Sequence, residues 1–284
     1  MNYCDITIGI VTYKSESVIF DCLESIKKIE KIIIFDNSND KLLKYKVKKK
    51  YPHIRFDLSR KNLGYGGGNN SILKISKTPF VLLLSPDTIL KNNCERELLK
   101  AINKKKEFSI IAPLAKENNF GNFSKKRISK KDEIFEVDYV KGFAMLFNRN
   151  KIKKNRVFDD KIFLYLEEID LCKRLRKKNE KIYVCKKSQI THLGAKSSNI
   201  GFEYEKCRNW HWMWSQVYFD KKFYNKFYVY KKYIFKIINS FFKILIFIIL
   251  LDKKKIIIFY MRLSGIVNSL MGKKSWYRPL LKKI

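Results

Sequence analysis

Three acids, Glu167, Glu168 and Asp170, fall together between the aromatic run Phe158 to Leu166 and a basic stretch ending at Arg176. Crowded like charges hold one carboxylate's pKa high, which suits a general base near neutral pH. The same acids would also complement the dipole at the start of a helix. Asp87, in Ser85-Pro-Asp87, sits just past the apolar run Phe80 to Leu84. A carboxylate there can hold a divalent cation bridging two phosphates, or cap a turn. Asp36 at the end of Lys31 to Phe35 carries the same two readings, with an Asx turn through Asn37 and Ser38 as the plainer one. Asn62-Leu-Gly-Tyr-Gly-Gly-Gly-Asn-Asn70 holds four of the chain's 11 glycines. Such a loop lets backbone amides approach a phosphate or sugar, or else makes a tight turn into a helix. It lacks the glycine at Asn69 that a dinucleotide fingerprint needs and the Gly-Lys-Ser/Thr of a P-loop. His192, in Thr191-His-Leu-Gly194, is ambiguous alone.

Positioning these groups requires a scaffold, and the hydrophobic pattern supplies one. Short β-rich runs are expected at Ile6 to Val11, Lys31 to Phe35, Ile54 to Leu58, Phe80 to Leu84, Ser109 to Ala112, Val137 to Phe147 and Lys181 to Cys185. Helical patterns fall at Ser17 to Ile29, Asn69 to Ser76, Asn92 to Asn103 and Glu167 to Asn179. This alternation predicts an α/β fold, a mostly parallel sheet with helices on both faces. Ligands of such sheets bind beyond the carboxyl ends of the strands, where Thr12-Tyr13, Asp36, Asn62 to Asn70 and Asp87 all fall. Lys116 to Lys131, polar and basic, is expected to be a mobile loop.

The chain of 284 residues carries 61 Lys plus Arg against 27 Asp plus Glu, a net charge of +34. With 46% hydrophobic residues it can build a core, which excludes a disordered or linker protein. Six cysteines without metal-ligand spacing read as reduced, buried thiols, and no export signal opens the chain. From Lys206 onward stand 18 Lys or Arg and two acids, Asp220 and Asp252. No nucleic-acid-binding motif accompanies this charge, so nucleic acid is not an expected partner. Ile234 to Leu251 and Ile256 to Met271 instead gather Lys236, Asn239, Ser240 and Lys243, then Arg262, Gly265, Asn268 and Ser269, on one helical side. The uncharged stretch Ile244 to Leu251 is too short for the ~20 residues of a spanning helix. Two basic amphipathic helices lying on an anionic membrane are expected, against a hairpin packed on the core or in a dimer.

The ordered set Thr12-Tyr13, Asp36-Asn37-Ser38, the glycine string, Ser-Pro-Asp87, Lys141-Gly142, Phe163 to Leu171 and His192 through Ser198 resembles the family 2 glycosyltransferases. It is most similar to the bacterial branch containing rhamnosyltransferases of surface polysaccharide assembly. The resemblance covers 5 to 215 and implies a GT-A catalytic domain over 1–215, with 216–284 a membrane-associating tail. It also implies a nucleotide-sugar donor, a lipid-linked glycan or polysaccharide acceptor, Mg2+ or Mn2+, and inversion at the anomeric carbon, rhamnose being one candidate sugar. Carried over residue by residue, Thr12, Tyr13, Asp36, Asn62, Gly64, Asn69, Asp87 and Arg208 would hold the donor. Asp87 and His192 would hold the metal, and Glu168 or Glu167, with Asp170 beside them, would supply the base. Two departures stand out: Ser85 replaces the first member of the usual Asp-x-Asp or Asn-Pro-Asp, and Glu167-Glu168 replaces the usual Glu-Asp. The enzyme would be cytoplasmic, on the inner face of the cell membrane. A metal-dependent nucleotidyltransferase would show a Gly-rich loop with Arg or Lys near the first strand, which 9–16 lack. A non-catalytic membrane- or nucleic-acid-binding protein would explain the charge and leave the ordered acids unexplained.

Overall fold

The computed structural model describes residues 5–115, 123, 132–152, 157–194, 197–198 and 200–279. The expected loop at Lys116 to Lys131 lies outside the described residues, Phe123 excepted. The elements run β1 (Ile6–Thr12), α1 (Glu16–Ser25), β2 (Ile32–Asp36), α2 (Lys41–Lys50), β3 (Arg55–Leu58), α3 (Gly64–Ile75), β4 (Phe80–Leu84) and β5 (Thr88–Leu90). They continue α4 (Cys94–Lys104), β6 (Ile110–Ala115), β7 (Ile134–Glu136), β8 (Ala144–Asn148), α5 (Glu167–Arg176) and β9 (Ile182–His192), then α6 (Phe202–Phe223), α7 (Lys226–Ile249) and α8 (Lys253–Leu270).

Residues 5–159 and 167–198 hold the sheet, in the order β3-β2-β1-β4-β8-β6-β9-β5, with β7 also pairing β9. Following the pairings, β8, β5 and β7 run against the other six strands. Alternation along the strands sorts side chains to two faces. Ile6, Ile8 and Ile10 pack with Ile19 and Leu23 of α1, Leu43 of α2 and Leu98 of α4. Val11, Val81 and Leu83 pack instead with Ile72 of α3 and Leu171 of α5. The five cysteines among the described residues are buried and unpaired. Burial pushes the thiols of Cys22, Cys94, Cys172 and Cys207 up to about 12, so they stay protonated and inert.

Two sequence expectations change. Val137 to Phe147 is not one strand: β7 and β8 pair with different partners, and the chain turns at Gly142 and Phe143 just before β8. The glycine string is not a loop ahead of a helix but its first turns, because α3 begins at Gly64, whose φ is +75°. A Cβ on Gly68 would lie 2.7 Å from Val11 Cγ1, and one on Gly66 3.1 Å from Phe158 Cβ. Gly68 serves close packing of helix on sheet, and Gly66 that of the helix on the segment before α5.

The second compact unit comprises 160–166 and 200–279, so that α6 spans the division after 215 suggested by the sequence. Its core joins Trp210, Trp214 and Val217 of α6 to Val229 and Tyr233 of α7 and to Met261 and Ile266 of α8. His211 is fully buried between Tyr277 O and Ser275 Oγ, and burial lowers its pKa to about 3. Gly265 lets α8 approach α6, since a Cβ there would stand 2.4 Å from the Trp210 carbonyl oxygen. Backbone cannot swing aside as a side chain can, so Gly265→Ala is expected to destabilise this unit by about 1–3 kcal/mol, measurable by denaturant titration.

On α7 the expected polar stripe divides: Ser240 and Lys236 turn inward, while Asn239 and Lys243 are exposed. Ser240 is buried and Lys236 donates to Gln216 Oε1 at 2.7 Å. Phe235, Phe241, Phe242, Ile246 and Ile249 stand exposed on the outside, Ile249 at 80%. Among the described residues no helix is long and apolar enough to cross a membrane.

Candidate active site

The carboxyl ends of β1, β2 and β4 and the start of α3 converge on the residues singled out above. Thr12 Oγ1 donates to Asp36 Oδ1 at 2.8 Å. The fully buried Asp36 carboxylate also accepts from Ser38 N, Ser38 Oγ and Asp40 N. Asp36 thus builds the Asx turn that shapes the strand end. Tyr13 N donates to Ser15 Oγ, and Ser15 Oγ donates to Ser197 O at 2.5 Å. Asn37, which sequence reasoning left as a neighbour, fixes the entry to α3: its Nδ2 donates to Gly64 O and its Oδ1 accepts from Leu63 N. Asn62 Oδ1 accepts from Gly64 N at 2.9 Å. Asn70 anchors the same helix from its other side through two 2.9 Å bonds with the Phe158 backbone.

Asn69 is fully buried, yet neither end of its amide makes a hydrogen bond of normal geometry. Such orphans are rare in a packed interior and suit a place where a ligand supplies the partner.

Asp87 and His192 meet through the β5–β9 ladder, in which Thr88 pairs His192 and Leu193 N donates to Asp87 O at 2.9 Å. Asp87 Oδ1 lies 3.5 Å from His192 Nε2, with the Asp87 side chain 1% exposed and that of His192 17%. Phe143 stacks on the imidazole at 4.2 Å between centroids, and its carbonyl accepts from Ser85 N and Thr88 Oγ1. A carboxylate and an imidazole on adjacent strands fit a divalent cation whose remaining ligands come from phosphate oxygens and water. Among the described residues no third His, Cys, Asp or Glu joins them.

The acids of α5 separate by role. Asp170 is buried and accepts from Arg174 Nε at 2.7 Å, while Arg174 also donates to Val157 O. It therefore ties α5 to the preceding chain. Glu167 is buried with Oε2 lacking a partner, its Cβ close to where a Gly66 Cβ would stand. Glu168 keeps a solvent-reachable edge beside Gly142. Burial holds the carboxyl pKa of Glu168 up, and burial and the Glu168 charge hold that of Glu167 well up. Tyr65, at the foot of the glycine string, donates to the Gly142 carbonyl and so clamps α3 to the β7–β8 turn. Just before α5, Tyr165 and Leu166 both take left-handed backbone, with φ of +69° and +67°. Non-glycine residues adopt this region at a cost, and they do so next to functional groups more often than elsewhere. Arg208 belongs to the second unit, where its Nε donates to Tyr165 Oη at 2.6 Å.

Comparison with known proteins follows the same lines. Residues 7–187 match the model of Glycosyl transferase family 2. A low-salt glycan biosynthesis hexosyltransferase, Agl10 of Haloferax volcanii, is 28% identical over 208 residues, covering 66% of this chain and 67% of its own. The mannosyltransferase PcManGT of Pyrobaculum calidifontis, solved with GDP-Man and Mn2+, superposes with a TM-score of 0.59 at 10% identity over 95% of this chain and 88% of its own. S. aureus TarS 1-349 gives 0.54 at 13% over 96% and 93%. GalNAc-T7, solved with UDP, GalNAc and Mn2+, gives 0.54 at 13% over 66% of this chain and only 43% of its own. The sheet and its helices are accordingly a GT-A fold. With the family match spanning well over half its length and the acids, glycines and strand ends ordered as described, this chain belongs to glycosyl transferase family 2.

Proposed function

We propose that the protein moves a hexose from a nucleotide-diphosphate donor to a hydroxyl of a lipid-linked or polysaccharide acceptor in glycan synthesis, with inversion. The observation that carries this reading is the occurrence, within one unit, of the Asp87–His192 pair, the orphaned Asn69 amide and the Glu167–Glu168 pair with raised pKa values. The hexosyltransferase Agl10 and the sugar-nucleotide and Mn2+ complexes among the fold relatives support the same chemistry.

In this reading Thr12 and the turn built by Asp36 border the nucleoside, and Asn69 bonds the donor. Asp87 and His192 would hold Mg2+ or Mn2+, which would supply positive charge to offset that of the diphosphate. Glu168 takes the acceptor proton because it alone of the raised pair has an exposed edge. The acceptor oxygen bonds the anomeric carbon as the bond to diphosphate breaks, in one displacement. Asp170 positions α5. The test is release of nucleoside diphosphate by the purified chain from a panel of nucleotide hexoses, with the product's anomeric configuration read by NMR. Retention of configuration, or no turnover on any donor, would overturn the reading.

The outward apolar face of α7, bordered by Lys226, Lys231 and Lys253 to Lys255, supports a peripheral position on the inner face of the cell membrane. Each lysine near an anionic surface adds about 1 kcal/mol. Co-sedimentation is expected to be strong with anionic vesicles, weak with neutral ones, and reduced in a Phe235→Gln/Phe242→Gln variant. Substitution is the cleaner probe, because removing α8 would strip the cover from Trp210 on α6.

A further inference from the structure

Outside the sugar-transfer machinery, the second unit contains a cavity of about 780 Å³ between the C-terminal half of α6 and the end of α8. Its walls carry Lys161, Lys221, Lys222, Lys273, Lys274 and Arg278, with Asp160 the one carboxylate among the described lining residues. Some of this charge is already engaged. Lys221 Nζ donates to the Ser269 and Leu270 carbonyls at 3.1 Å each, closing the end of α8. Arg278 lies 3.6 Å over the Phe163 ring and donates to Ser275 O and Tyr277 O. Lys273 and Lys274 are exposed at the rim. Lys222 lies 5.9 Å over the Tyr218 ring, and the six cations against one carboxylate give the described lining a positive balance that favours an anion.

A second observation points the same way. Ser269 is 3% exposed, lines this cavity, and its hydroxyl makes no hydrogen bond. A buried hydroxyl without a partner is costly, and a ligand oxygen would satisfy it. Trp214 and Tyr218 stack at 5.1 Å between centroids and add a flat apolar wall. The volume exceeds what a lone phosphate fills, and the aromatic wall suits a ligand with an apolar part.

We infer that this cavity is a binding site for a phosphate or diphosphate group, held by Lys273, Lys274 and the Ser269 hydroxyl and carried either by a membrane lipid or by a soluble anion. The site is independent of sugar transfer, and each can fail without the other.

The test uses the full chain in chelator, on an Asp87→Asn background, so that the donor site does not contribute. Inorganic pyrophosphate is titrated calorimetrically, and vesicles of phosphatidylcholine containing phosphatidic acid are compared with vesicles matched in charge by phosphatidylserine. Lys273→Gln/Lys274→Gln should weaken pyrophosphate binding roughly 10-fold or more, at about fivefold per lysine. Ser269→Ala should weaken it several-fold without lowering the melting temperature, since the hydroxyl has no partner to lose. Donor hydrolysis, assayed separately with Asp87 intact and metal present, should be unchanged in both cavity variants. Parallel loss of preference for phosphatidic acid assigns the ligand to a lipid, and loss of pyrophosphate binding alone assigns it to a soluble anion. Unchanged binding of both probes in both variants would overturn the site.

Discussion

Glu168→Gln is expected to lower kcat by roughly 10²–10⁴-fold while leaving donor affinity nearly intact, because glutamine keeps the shape of the side chain and loses its proton affinity. The pH profile should carry the same signature. The base works when ionised, and burial raises its pKa, so turnover should fall on acidification at a higher pH than an ordinary carboxylate would give. Glu167, held the higher of the two by burial and the Glu168 charge, is still protonated as Glu168 ionises, so Glu167→Gln should leave that acidic limb in place. Stability should change in the opposite sense to activity. Above the ordinary pKa the unfolded glutamates give up protons that the folded pair retains, so the pair costs stability as pH rises. The inactive Glu168→Gln protein should therefore melt at a higher temperature than the wild type at neutral pH. If Glu167→Gln were the inactive variant and Glu168→Gln remained active, the base would be assigned one residue too late.

Asp87→Asn is the second change with a large expected effect. Asparagine preserves the β5–β9 ladder, which is backbone, and removes the charge that a cation requires. We expect transfer to fall by roughly 100-fold or more, Mn2+ binding measured by electron paramagnetic resonance to weaken in parallel, and the melting temperature without metal to stay close to wild type. Chelator should reproduce the loss in the unsubstituted protein. Full activity in excess chelator would remove the cation from the mechanism.

Much of this arrangement was legible in the residues, and the gaps have physical causes. Ile6 to Thr12 and Phe80 to Leu84 announce themselves because central strands buried on both faces read as continuous apolar runs. Lys41–Lys50 escaped notice as a helix because it buries only Leu43 and Val47, and its lysines give little apolar periodicity. β5 escaped because three residues are too few for any alternation. α6 buries Trp210 and Trp214 on one side and Phe219 and Asp220 on others, so no single stripe marks it. In the site, the acids and glycines were visible as types, whereas Tyr65, Asn37 and Phe143 were not singled out. Their importance lies in backbone partners at Gly142, Gly64 and Ser85, which spacing alone does not display. The inward placement of Ser240 and Lys236 on α7 was likewise hidden, since a helical wheel separates two faces without saying which one a neighbour covers.

The three-residue ladder between β5 and β9 sets a limit on how this chain can change its length. Asp87 and His192 come from distant parts of the sequence and meet at 3.5 Å because the turn at Pro86 and Asp87 delivers the carboxylate to the end of a ladder in which Thr88 stands opposite His192. Strand side chains alternate, so one residue gained or lost between Ser85 and Thr88, or between Ile190 and Leu193, would turn one partner away from the other. Residues on the outer face of α7 can be exchanged one for another without such a consequence. Insertions and deletions in a lineage carrying this site should therefore be excluded from those two short windows and find room elsewhere.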